Sequence, residues 1–238
     1  MRASGLVDIE SHSHLHQRLF VAKELTGFVT RESNATASDA VFSPYLTPGK
    51  SACDIPPGYF EGFPLFPTLP LLGAPDAVAL SADAVESCVE VFGRALAKFG
   101  SAATAVGEAM NQCRNSLTPD AFTGMSAEEV GGAIRDDLYA SQCILRIGLR
   151  DSRVGTHLCL PFTTGCAKTV AIARELGFGS IFWGVNPGRR SNLPGMDAMH
   201  IVRLKNDFIW RLPGKGRRSL AGVYLEKSTR RLSGLAPY

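Results

Sequence analysis

Eight of the chain's fourteen prolines, Pro44, Pro48, Pro56, Pro57, Pro64, Pro67, Pro70 and Pro75, crowd into one stretch of its 238 residues. Proline lacks the amide hydrogen that helix and sheet ladders use, and it biases the preceding residue towards extended backbone. The stretch therefore predicts an irregular strap rather than a regular element. Its Tyr59, Phe60, Phe63, Leu65, Phe66, Leu69 and Leu71 are too apolar for a free linker, so the strap is expected to lie on the core.

Beyond the strap the apolar period becomes helical. Val85, Val89, Phe92, Leu96 and Phe99 recur at three- and four-residue steps behind Ser81, a good N-cap, and Gly100 ends that helix. Ser101 can cap a second helix, with Val106, Met110, Cys113 and Leu117 on one face. A third begins at the capping box Ser126-Ala127-Glu128-Glu129 and carries Val130, Ile134 and Leu138 as its stripe. Three helices are thus predicted within 81–117 and 126–139. From Gln142 the pattern reads as strands: 143–149 and 154–162 as an antiparallel hairpin about the turn Arg150-Asp151-Ser152-Arg153. A helix over 167–176 closed by Gly177 follows, then a buried strand Ile181-Phe182-Trp183-Gly184-Val185, then strands over 199–205, 208–212 and 220–226. The expected fold class is α+β: a mixed, mainly antiparallel sheet with flanking helices, preceded by the irregular strap. The expected division is an N-terminal extension over 1–80 packing on a domain over 81–238, helical to 140 and sheet-rich over 141–228.

Charge is unevenly spread. Residues 181–238 hold eleven Lys and Arg against three Asp and Glu, leaving fourteen against nineteen in the rest of the chain. This basic block is interleaved with Phe182, Trp183, Phe208, Trp210 and Tyr224, which predicts an anionic partner docking there through Arg211, Lys215, Arg217 and Arg218. A solvated surface is the plain alternative. No run approaches the roughly 18 apolar residues of a membrane span. The six cysteines show no paired CxxC spacing, so reduced thiols and a cytoplasmic location are expected.

Ala173-Arg174-Glu175-Leu176-Gly177-Phe178-Gly179-Ser180-Ile181-Phe182-Trp183-Gly184-Val185, with Arg203-Leu204 and Arg217-Arg218-Ser219-Leu220-Ala221-Gly222-Val223-Tyr224-Leu225, resembles the acyl-homoserine-lactone synthases and the wider N-acyltransferase superfamily. The resemblance covers about a quarter of the chain. It implies an N-acyltransferase-like fold whose splayed central strands admit an acyl-thioester arm, on coenzyme A or an acyl-carrier protein. The phosphopantetheine group would then meet Thr163, Thr164, Gly165 and Lys168 near a helix N-terminus, where free amides and the helix dipole favour an anion. The lactone synthases place a carboxylate three residues before an arginine on the preceding strand. Here Cys143 and Arg146 occupy those places, and they are the catalytic residues the resemblance implies.

Other motifs point elsewhere. Glu10-Ser11-His12-Ser13-His14-Leu15-His16 resembles the first strand of amidohydrolase-type metal enzymes, since histidines at steps of two share one side of a strand. Gly184-Val185-Asn186-Pro187-Gly188 resembles a motif of uracil-type DNA glycosylases, and equally a tight turn. Pro213-Gly214-Lys215-Gly216-Arg217-Arg218 is a basic, glycine-containing loop that a phosphate could approach. The leading expectation is an acyltransferase-like protein binding an acyl thioester through its basic C-terminal face. A non-catalytic nucleic-acid-binding or assembly protein using that face is the alternative, and a metal-dependent hydrolase using His12 and His14 is the third.

Overall fold

Two serines set where the longest helices begin. The structure, a computed structural model, describes residues 8–31, 61–184, 192–203 and 218–232. Ser81 Oγ accepts the Ala84 amide at the start of α1 (Ala82–Phe99), and Gly100, at φ 68°, closes that helix in the left-handed region glycine tolerates. α2 (Ala102–Ser116) folds back against it. At α3 (Ala127–Leu149) the capping box forms in full, with Ser126 and Glu129 each bonding the other's amide. All three predicted helices are present.

α1 and α2 bury aromatic and small side chains against two antiparallel sheets, while Val130, Ile134 and Leu138 of α3 pack in a second cluster with Leu158 and Ile181. In the first sheet, β1 (Arg18–Phe20) lies between β4 (Thr68–Pro70) and β5 (Ala77–Leu80), and β5 pairs onward with β6 (Phe122–Met125). β2 (Gly27–Phe28) and β3 (Pro64–Leu65) form a separate pair. Phe92 of α1 stacks on Phe28 at 5.4 Å, and Phe66 sits edge-on between Phe20 and Phe122. Phe92 is fully buried, which stabilises the fold by roughly 1.5–3 kcal/mol through removal of its ring from water. Where the proline content predicts irregular chain, residues 61–80 instead carry three short strands. Pro64 opens β3 and Pro70 closes the edge strand β4, positions where a missing amide hydrogen is tolerated. The earlier half of the strap lies outside the described residues.

The third sheet departs most from expectation. β7 (His157–Cys159), β8 (Ser180–Trp183) and β9 (Ile201–Val202) run parallel in that order, not antiparallel, and α4 (Ala167–Glu175) connects the first two. The predicted strand over 143–149 is the second half of α3, so there is no hairpin. That helix continues because Ser141 and Gln142 extend its buried face, with Gln142 Nε2 donating to the Gly155 carbonyl at 2.9 Å, and Arg150 at φ 51° then ends it. The strand predicted over 220–226 is likewise helical, in α5 (Leu220–Leu232): Ser219 Oγ accepts the Gly222 amide, and Glu226 pairs with both Arg218 and Arg230. Among the described residues of the region expected to be sheet-rich, helix outweighs strand. β8 is the interior strand foreseen at 181–185, with a neighbour on each edge and Ile181 fully buried. The strand predicted over 208–212 lies outside the described residues. No described helix is long and apolar enough to cross a membrane.

Candidate active site at the parallel strand tips

A fourth segment joins the parallel sheet. The Ser11 amide donates to the His157 carbonyl at 3.1 Å, the Ser11 carbonyl accepts from the Cys159 amide at 2.8 Å, and the Gly155 amide reaches Ile9. Residues 9–11 therefore run parallel beside β7, on the edge opposite β8. The carboxyl ends of all these segments meet at one rim, the place where open parallel sheets bind their ligands. Register decides which side chains share a face there. Ser11 is level with Leu158, Cys159 with Phe182, and Phe182 with Ile201. Because side chains alternate along a strand, His12, Cys159 and Arg203 fall on the same face.

They also touch. Arg203 Nη1 donates to Cys159 Sγ at 2.8 Å, and the Arg203 amide continues the ladder by donating to the Trp183 carbonyl at 3.0 Å. His12 Nδ1 lies 2.7 Å from the Cys159 carbonyl oxygen, an acceptor, which places the proton on Nδ1. The half-buried thiol is held below its usual range, first by the neighbouring His12 side chain and further by the Arg203 guanidinium, against the opposing effect of burial. His12 is raised for the reciprocal reason, the Cys159 side chain favouring its charged form. His16, edge-on to His12 at 4.7 Å, is lowered by burial and by the charge on His12. The two adjacent imidazoles are thus shifted in opposite directions. A half-buried thiol whose ionised form is favoured by a neighbouring imidazole and guanidinium has the environment of a nucleophilic cysteine.

The loop after Cys159 is strained around this rim. Phe162 and Thr163 have φ of 52° and 59°, uncommon for residues with a Cβ, and such backbone clusters at functional sites. The loop can turn this tightly because Gly184, at the end of β8, has no side chain: a Cβ there would lie 2.1 Å from Thr163 Cγ2. Phe162 packs against His16 at 5.6 Å and under the Arg18 guanidinium at 5.4 Å. Trp183 stacks on His200 at 5.4 Å and donates its Nε1 hydrogen to the Met199 carbonyl at 2.7 Å.

The residues nominated from sequence are dispersed. Cys143 and Arg146 lie on α3, where Arg146 Nε donates to the Val154 carbonyl and Cys143 neighbours Tyr139. Thr163, Thr164 and Gly165 do line the loop after Cys159, but neither threonine caps α4, whose N-cap is Cys166 without a side-chain bond. Thr164 Oγ1 instead donates to the Phe162 carbonyl, and Lys168 Nζ donates to the Ala127 carbonyl at 2.5 Å. His12 was marked by its spacing and is in the site, bonded to the Cys159 carbonyl; the His14 amide donates to Asp137. Among the described residues no three His, Cys, Asp or Glu side chains are grouped to hold a metal ion. Arg218 pairs with Glu226, while Arg211, Lys215 and Arg217, and residues 185–188 of the glycosylase-like motif, lie outside the described residues. Cys159 and Arg203 were not nominated. The signal that could have found them is the order strand, loop, helix, strand over 157–183, a βα unit whose strand ends carry the site.

No family model matches the chain, and no curated protein or solved structure matches it either.

Proposed function

We propose that the chain is a thiol-dependent acyl-transfer enzyme with Cys159 as nucleophile. The observation that carries this reading is the contact of Arg203 Nη1 with Cys159 Sγ, with the His12 imidazole bonded to the carbonyl of the same cysteine. The thioester as donor follows from the resemblance of 173–185 to the N-acyltransferases, and coenzyme A or an acyl-carrier protein is the carrier proposed. The Cys159 thiolate attacks the carbonyl carbon, forming a new carbon–sulfur bond, and the donor's carbon–sulfur bond breaks. His12 gives its proton to the departing thiolate, consistent with a raised affinity for that proton in the free enzyme. The acceptor, water or another nucleophile, then attacks the acyl-Cys159 carbonyl. His12 takes the acceptor's proton and the thiolate is released beside Arg203. Thr163 and Thr164, on the loop that follows the nucleophile, are placed to border the donor's arm.

The test is thiol release from acetyl- and hexanoyl-CoA by the wild-type chain and by Cys159→Ala. Release by the wild type that Cys159→Ala loses supports the reading. Equal release by both overturns it.

A further inference from the structure

Asp137 lies on α3, 1 % exposed, with its carboxylate turned towards the histidine segment. A carboxylate this deeply buried is costly unless hydrogen bonds satisfy it. Among the described residues its bonds come from one tripeptide, 13–15. Ser13 Oγ donates to Oδ2 at 2.7 Å, the Leu15 amide donates to Oδ1 at 3.0 Å, and the His14 amide lies 3.2 Å from both oxygens. Successive backbone amides converging on an anion make a nest, here with the anion supplied by the protein itself. The nest requires Ser13 at φ 70° and His16 at φ 53°, both in the left-handed region. Ser13 Oγ accepts the His16 amide at 3.3 Å, and His16 Nε2 lies 3.1 Å from the His12 carbonyl. His12 and His16 are therefore the two ends of a turn wound about the Asp137 carboxylate.

We propose that Asp137 is a positioning residue: by anchoring the turn 13–15 it holds the His12 imidazole against Cys159. The inference rests on Cys159 being the reacting thiol. Asp137 itself does not touch Cys159 or His12 through its side chain; its partners are Ser13, His14 and Leu15. Among the described residues the charged or titratable groups acting on the thiol are His12 and Arg203, and both remain when Asp137 is changed; the Asp137 charge itself acts on His16, favouring its charged form.

The test is the pH dependence of Cys159 alkylation by iodoacetamide, read on the peptide carrying Cys159 so that Cys143 serves as an internal comparison. In the wild type the midpoint falls below the roughly 8.5 of an ordinary thiol. Asp137→Asn keeps the shape but turns amide hydrogens towards backbone donors. It is expected to raise the midpoint towards the ordinary value and to slow alkylation at pH 6.5 about tenfold, with Cys143 unchanged. Ser13→Ala removes the hydroxyl's bonds to Asp137 and from the His16 amide but leaves the His14 and Leu15 amides on the carboxylate, so it is expected to move the midpoint the same way by less; it decides the matter if Asp137→Asn does not fold. A depressed wild-type midpoint that stays put in folded Asp137→Asn, or in Ser13→Ala where that variant is the one that folds, overturns the role of Asp137 alone. An ordinary midpoint in the wild type overturns both this inference and the reading of Cys159.

Discussion

Arg203 donates to the Cys159 sulfur at 2.8 Å from the end of β9, two strands away in the sheet. Its guanidinium sets a positive charge against the sulfur, which favours the thiolate form. Arg203→Met should therefore slow Cys159 alkylation at pH 7 by about three- to tenfold, a modest factor because the group is partly exposed to screening water. Arg203→Lys, which keeps the charge and loses the planar fork, should fall between. Alkylation rates by peptide mass check this, and unchanged rates in Arg203→Met would show the contact has no effect on the thiol.

His12 should titrate above the ordinary imidazole midpoint of about 6.5, since the Cys159 side chain favours its charged form. A raised folded midpoint means the stabilisation is fully present below about pH 6.5 and is lost as pH rises through that folded midpoint. Cys159→Ser removes the thiolate, so the His12 midpoint should drop. Side-chain NMR titration measures both, and a midpoint that rises or stays constant in Cys159→Ser contradicts the pairing.

Gly184→Ala should disrupt the site while Gly184→Ala/Thr163→Gly largely restores it. The added Cβ would overlap the Thr163 side chain, and glycine at 163 both removes that side chain and suits its φ of 59°. Overpacking costs about 1–3 kcal/mol, so urea unfolding of the two single variants and the double should show a coupling of that order. Additive losses would mean the two residues act independently.

Phe92→Ala should cost about 3–5 kcal/mol, because the ring is fully buried and stacked on Phe28. Chemical denaturation measures it. A loss below about 1 kcal/mol would mean that the α1 face does not pack as described.

The helices were legible because their signals are local: Ser81, Gly100 and the Ser126–Glu129 box declare their ends within four residues. The second half of α3 was not, since Ile144 and Ile147 are 53 % and 77 % exposed and so break the apolar stripe that a reader follows. α5 misled for the same reason, with Tyr224 and Leu225 turned outward. The parallel sense of β7 and β8 was readable in the strand, helix, strand order over 157–183, but pairing 154–162 with 143–149 as a hairpin passed over it. That error hid the site. Read as a hairpin arm, Cys159 has no reason to stand at a functional rim, and its partners are 147 and 44 residues away. The His12-x-His14 spacing drew attention to the right segment for a different chemistry. Alternation on a strand was assumed there, whereas Ser13 and His16 wind the chain into a turn about Asp137.

The most direct measurement of the central claim is the mass of the peptide carrying Cys159 after brief exposure to acetyl- or hexanoyl-CoA and an acid quench. An acyl group should appear on Cys159, should accumulate further in His12→Ala if that variant still acylates, and should be absent from Cys143 and Cys166. No acyl group on Cys159 with either donor, or one carried on Cys143 instead, would contradict the assignment of the nucleophile.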